Sequence, residues 1–187
     1  APQTIQALKD IGFPASSINP GYGLAESCAC VISAIGGEVK VNKGVVSCGT
    51  LIRSEAYDKH VVIASTSSTT TPTAIVEDGV VGEIHIRGPE LASGYWAKSE
   101  LNEHFHRKLD DGHEYFATGD LGMIVEGSLY VMGRIKELII VNGKNIYPTD
   151  IERTIERSFP NHVRPGCNKT VPVTVAGSLR ITVECFG

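Results

Sequence analysis

Asp120 stands in the run Tyr115-Phe-Ala-Thr-Gly-Asp-Leu-Gly122, an aromatic, β-favouring approach to a tight Thr-Gly-Asp corner. A carboxylate held on such a corner accepts hydrogen bonds from two neighbouring hydroxyls at once, which suits a vicinal diol such as the 2′- and 3′-OH of a ribose. Upstream, Gly21-Tyr22-Gly23-Leu-Ala-Glu26 sets an aromatic ring between two glycines, where backbone and ring can lie close to a flat ligand. Glu26 of the same run offers a hard oxygen to Mg²⁺. Downstream, Gly133-Arg134-Ile-Lys136-Glu137 supplies a permanently charged guanidinium fork and a long ammonium side chain. Each residue also has an ordinary reading: a plain turn, a tyrosine packed on a loop, a solvated carboxylate, a surface arginine.

The elements that must position these groups follow from periodicity and turn chemistry. Residues Thr4 to Leu8 predict a short helix ending near Gly12, and Ile18 to Gly23 an irregular Gly/Pro loop. The apolar run from Ala25 to Ile35 predicts a buried strand, with Cys28 and Cys30 on one face and both interior. Val61-Val-Ile and Gly82-Glu-Ile-His-Ile-Arg predict strands, and the polar run from Ser65 to Thr73 an exposed loop. Leu101, Phe105 and Leu109 recur at helical spacing and predict a helix over 99–109, with His104 and His106 on different faces and, like His113, at the surface. Hairpins are expected at Glu126-Gly127, at Asn142-Gly143 and around Ala176-Gly-Ser178. Thr149-Asp-Ile-Glu152 has the form of a capping box, followed by a helix with Ile151, Ile155 and Phe159 on one face.

Other chemistries are excluded by what is missing. Gly21-x-Gly23-x-x-Glu26 lacks the third glycine of a dinucleotide fingerprint. Gly143-Lys144 lacks both the first glycine and the Ser/Thr of a P-loop. A net charge of −4 gives no electrostatic ground for nucleic-acid binding, and no apolar run has the length of a transmembrane segment. The cysteines number five, contain no Cys-x-x-Cys pair and fit a reducing, cytoplasmic setting. With 42% hydrophobic residues over 187, there is material for one core or two small ones.

The three islands in this order, together with Gly82-Glu-Ile-His-Ile-Arg-Gly-Pro89, Gly94-Tyr-Trp96 and the run from Asn142 to Glu152, resemble the adenylate-forming (AMP-binding) superfamily. Within it, Val46-Ser-Cys-Gly49, Tyr147-Pro148-x-Asp150-Ile-Glu152 and Arg164-Pro-Gly-Cys167 resemble fatty-acyl-AMP ligases most. Ala117 and Ile146 depart from the usual pattern.

The resemblance implies an α+β, mostly β chain. Residues 1–135 would be the end of a large adenylation domain with a distorted β-barrel, and 136–187 the start of a small mobile C-terminal domain. It implies ATP (or AMP) bound through Gly21, Tyr22 and Gly23, with Tyr22 stacked on adenine, Asp120 on the ribose and Arg134 donating to the ribose or phosphate side. Glu26 would be the Mg²⁺ ligand and Lys136 the hinge. The phosphate loop and the catalytic lysine of the family are expected outside these residues, so the chain reads as an interior piece of a ligase, inactive alone, with no catalytic residue of its own. The implied reaction activates a fatty acid as acyl-AMP and passes it to the phosphopantetheine thiol of an acyl carrier protein. A long-chain acyl-CoA ligase using CoA and a non-catalytic adenylate-binding domain remain the alternatives. An insertion that discourages CoA transfer is expected between about Ser33 and Cys48, with a plain barrel hairpin as the alternative.

Overall fold

In the computed structural model the described residues are 2–34, 39–51, 60–66, 73–141, 144–163, 168–175 and 178–185. The chain divides into two compact units, Ala1–Met132 and Gly133–Gly187. It is mostly β with short helices.

The first unit opens with helix α1 (Pro2–Asp10), closed by Lys9 in its last turn, and a 3₁₀ turn at Ala15–Ser17. Two short strands follow, β1 (Gly21–Tyr22) and β2 (Ile32–Ser33), paired antiparallel with Tyr22 opposite Ile32. Next come β3 (Val41–Asn42), β4 (Val45–Thr50), β5 (His60–Ala64), β6 (Gly82–Arg87), β7 (Arg107–Lys108), β8 (Glu114–Val125) and β9 (Ser128–Arg134). These seven form one sheet in the order β3-β4-β9-β8-β6-β5, with β7 beside β8. Among the described residues its outer strands β3 and β5 do not pair with each other.

Alternation of apolar and polar residues drives this sheet. Ile63, Ile84, Ile86, Phe116, Ile124 and Leu129 from four strands meet Val31, Ile32 and Phe105 in its core. At 25 cal/mol per Å², each such side chain contributes roughly 1.5–3 kcal/mol by burial, enough to fix which face of β6 and β8 points inward. The expected strands at Val61 and Gly82 are β5 and β6, in register from His60↔Arg87 to Ala64↔Glu83. Glu126 and Gly127 both adopt positive φ (49° and 70°), the turn that matches strand twist, and they join β8 to β9.

The second unit begins with a 3₁₀ turn at Ile135–Glu137 and contains β10 (Ile139–Val141) and β11 (Lys144–Ile146), paired from Ile139↔Ile146 to Val141↔Lys144. Helix α2 (Pro148–Ser158) and the hairpin β12 (Asn168–Val175) with β13 (Ser178–Cys185) complete it. The turn residues Asn142-Gly143 and Ala176-Gly177 lie outside the described residues, as do residues 67–72 of the Ser/Thr-rich run. No helix among the described residues is long and apolar enough to cross a membrane.

Three expectations are corrected. Residues 25–35 do not form one strand: Ala25–Ser27 is a 3₁₀ helix and the chain then reverses through Cys28 and Ala29 at φ 54° and 73°. Cys28 and Cys30 are consequently exposed rather than interior. The reversal rests on Gly23, where a side-chain Cβ would sit 1.7 Å from the Ala29 carbonyl oxygen. Ser99–His106 is 3₁₀ rather than α-helical and ends where Arg107 and Lys108 join β8 as β7. Its spacing still buries Phe105 and Leu109, but Leu101 is exposed; His106 and His113 are exposed and His104 is half-buried. The capping box is absent: α2 is capped from Tyr147 with Pro148 in its first turn, and the Glu152 carboxylate accepts the Thr170 N–H at 2.8 Å instead. Of its expected face, Ile151 and Ile155 are half-buried and Phe159 is exposed. Within the stretch where an insertion or a plain hairpin is expected, Val41–Thr50 is a hairpin of the main sheet, Val41 opposite Val46; residues 35–38 lie outside the described residues.

Candidate functional site

The Thr-Gly-Asp corner is a bulge in the ladder between β6 and β8. Glu83 pairs with Leu121 and His85 with Ala117, so Ile84 alone faces Thr118, Gly119 and Asp120. Three residues opposite one must leave the ladder, and their backbone groups need other partners. Thr118 supplies two: its Oγ1 donates to the Ile84 carbonyl at 2.7 Å and accepts the Asp120 N–H at 3.1 Å. Gly119, at φ 74°, makes the left-handed step, and its N–H donates to Glu83 Oε1 at 2.9 Å. Asp120 is thereby seated in a defined place, 7% exposed.

Tyr22 is brought to the same place from the other end of the unit. Its Oη donates to Asp120 Oδ2 at 2.7 Å. The register of β1 on β2 fixes the ring: Val31 N–H bonds back to the Tyr22 carbonyl and Ala34 N–H to Pro20, closing the reversal that Gly23 permits. The ring itself is half-buried against the main core. Sequence reasoning placed both glycines beside a ligand. In the structure both also pack closely on backbone, Gly23 against Ala29 and Gly21 against Ile32.

Glu26 lies in the 3₁₀ turn that follows. Its carbonyl accepts the Ala92 N–H at 2.8 Å, and its carboxylate accepts the Tyr95 hydroxyl. The hydrogen bond to Glu26, helped by burial, pushes the Tyr95 phenol up to about 12, so it remains a donor at neutral pH. Tyr95 is held in turn by Asn102, whose Oδ1 accepts its N–H at 2.7 Å. Its ring stands edge-on to Phe105 at 5.3 Å, and Phe105 lies 4.5 Å from Phe116. Phe116 belongs to β8, so one aromatic chain ties the tyrosine that grips Glu26 to the strand that carries Asp120. The neighbouring Trp96 is 96% exposed.

Behind the bulge, His85 is 3% exposed. Burial, with the Arg107 charge adding to it, drives its imidazole down to about 4, so the ring is neutral at physiological pH. Its Nε2 lies 3.2 Å from Glu83 Oε2, yet off the line of a hydrogen bond, and with the ring neutral the pair is not a salt bridge. Burial also raises the Glu83 carboxyl, against the opposing pull of the Gly119 N–H. Glu83, His85, Thr118 and Tyr95 carry no weight in the sequence reading beyond their motifs. The available signal was Glu83, His85 and Arg87, polar residues at period two on one face of a strand whose other face carries Ile84 and Ile86.

The structure therefore joins Tyr22 to Asp120 and gives Glu26 a tyrosine partner. Arg134 and Lys136 belong to the second unit, both exposed, Arg134 at the end of β9 and Lys136 within the 3₁₀ turn after it. Among the described residues no cluster of three or more His, Cys, Asp or Glu could hold a metal by itself. A single carboxylate at Glu26 fits a hard cation that takes its other ligands from water and substrate phosphates, as Mg²⁺ does.

No protein-family model matches the chain. The chain is 37% identical to a 4-hydroxyphenylalkanoate adenylyltransferase of Mycobacterium marinum over 83% of its own length and 29% of that protein. It is 31% identical to the medium-chain-fatty-acid–[acyl-carrier-protein] ligase JamA of Moorena producens, over 96% of the chain and 33% of the relative. A solved fatty acyl-adenylate ligase, from work on the enzymes of E. coli and L. pneumophila, superposes with a TM-score of 0.74 at 27% identity, covering 98% of this chain and 34% of that one. The fold matches part of that solved fatty acyl-adenylate ligase. The chain belongs to the adenylate-forming superfamily, with fatty-acyl-AMP ligases among its neighbours. It spans about a third of the length of the curated relatives it matches.

Proposed function

We propose that this chain supplies the nucleoside-binding part of an ATP-dependent acyl-activating ligase. The carboxylate of a fatty acid attacks the α-phosphate of ATP, the bond to pyrophosphate breaks, and acyl-AMP forms. The acyl group then passes to a phosphopantetheine thiol, with AMP as leaving group. The observation that carries this reading is the buried Asp120, presented by a bulge and bonded by Tyr22. Its carboxylate accepts from the ribose hydroxyls, a charge-assisted interaction, while the Tyr22 ring packs along the adenine.

In this reading Glu26 holds Mg²⁺, which screens the phosphate charge when bound. The Tyr95 hydroxyl keeps the Glu26 carboxylate in one orientation. Arg134 donates to the ribose or phosphate side, and Lys136 is the backbone pivot between the half-reactions. Residues 1–135 would act in adenylation and 136–187 would begin the mobile part. The exposed thiols of Cys28 and Cys30 accord with a reducing cytoplasm.

The acceptor we propose is an acyl carrier protein, the acceptor in the name of the JamA relative. The hairpin at Val41–Thr50, a strand pair within the main sheet, leaves a second reading with CoA as the acceptor. The natural full-length protein, given ATP and fatty acid, is expected to accumulate acyl-AMP and load holo-carrier protein faster than CoA. Preferential acyl-CoA formation would select the second reading, and no acyl-AMP at all would refute both.

A further inference from the structure

We propose that Glu83 is a positioning residue for the diol-binding corner: its carboxylate holds the Gly119 N–H and so sets where Asp120 presents its oxygens. The proposal rests on the reading of Asp120 as the ribose ligand. Three independent observations carry it. The bulge removes Gly119 from the ladder, so its N–H has no strand partner, and Glu83 Oε1 at 2.9 Å takes that place. Glu83 sits on β6 beside the one residue, Ile84, that faces the bulge, and Ile84 itself is bound there through its carbonyl by Thr118. The far oxygen of Glu83 lies 3.2 Å from Nε2 of the buried His85 ring, so both carboxylate oxygens have a neighbour on β6 or the corner.

The consequence is geometric. Thr118, from the corner itself, bonds the Ile84 carbonyl of β6, and Glu83, from β6, bonds Gly119, a residue whose freedom would otherwise let the corner flex. With both grips in place Asp120 is pre-organised, and the ribose hydroxyls meet a fixed acceptor. What matters at position 83 is an acceptor oxygen at the right reach, rather than a negative charge. Burial raises the Glu83 carboxyl, while the Gly119 N–H pulls it back down.

The test compares ATP with 2′,3′-dideoxy-ATP in pyrophosphate exchange by the natural full-length protein. The ratio of kcat/KM values reports diol recognition and is insensitive to a general loss of folded enzyme. The unaltered protein is expected to favour ATP by about ten- to a hundredfold. Glu83→Gln keeps the acceptor and its reach and should retain that ratio. Glu83→Asp keeps the charge, falls short of Gly119, and should bring the ratio to within about threefold of unity. Retention of the ratio in Glu83→Asp, or its loss in Glu83→Gln, would overturn the proposal. Asp120→Ala serves as the reference: a ratio unchanged in that variant would defeat the ribose assignment itself, separately from Glu83.

Discussion

The Tyr22 hydroxyl donates to Asp120 Oδ2 at 2.7 Å across a sequence separation of 98 residues. The bond links a two-residue strand, formed because Gly23 lets the chain reverse, to a bulge that exists because β8 carries more residues than β6. It means that the ring and the carboxylate do not respond to substitution independently.

Asp120→Ala in the natural full-length protein is expected to cut acyl-AMP formation by about ten- to a hundredfold, the loss of charge-assisted bonds worth roughly 1.5–3 kcal/mol. Tyr22→Phe, which keeps the ring, should cost less. In the double variant the two effects should sum to less than their total, because the groups touch. Unchanged ATP–pyrophosphate exchange in Asp120→Ala would remove Asp120 from the site.

Tyr95→Phe removes the hydroxyl that orients Glu26 and leaves the ring edge-on against Phe105. Groups that orient a metal ligand typically matter by about 10–100-fold in metal affinity. The Mg²⁺ concentration giving half-maximal exchange should therefore rise by about tenfold or more, with little change in KM for the fatty acid. An unaltered Mg²⁺ dependence would detach Glu26 from the metal.

His85 makes folding sensitive to acid. Its folded-state value of about 4 lies below the ordinary 6.5, so between those limits the unfolded chain binds a proton that the folded chain refuses. Stability from this residue is complete above pH 6.5 and is lost as pH falls toward 4, by up to about 3 kcal/mol. Glu83, whose carboxyl is raised, works in the opposite sense and offsets part of the loss. Denaturant midpoints measured from pH 7 to 4 should fall less steeply in His85→Leu than in the unaltered protein. Parallel curves would show that the ring is not held neutral.

Much of the architecture was legible because it is local. The hairpins at Glu126-Gly127 and around residues 142–143 and 176–178 combine turn residues with period-2 flanks, and the pairings of β8 with β9, β10 with β11 and β12 with β13 follow. The Thr-Gly-Asp corner and the reversed Tyr22 loop were recognisable as islands, but their meeting was not, since nothing near Tyr22 encodes a bond to residue 120. The segment from Ala25 to Ile35 misled because its apolar residues suit a strand, while the contact of Gly23 with Ala29 that folds it is a matter of backbone packing. Glu152 misled for a related reason: a tertiary donor, the Thr170 N–H, outcompeted the local cap. Glu83 stayed hidden because a bulge belongs to a pair of strands and is written in neither alone.

The excess at that bulge also has a parity. Between the pairs Glu83↔Leu121 and His85↔Ala117, β6 advances by two residues and β8 by four. The surplus is even, so side chains before and after the corner keep their faces, and Phe116 and Ile124 can share one core. Removing or adding a single residue at the corner would invert every side chain on one flank of β8. Removing two would straighten the strand and leave the core alignment intact. The Thr-Gly-Asp corner is thus a detachable unit of sheet geometry, one that length variation can erase cleanly in steps of two and only destructively in steps of one.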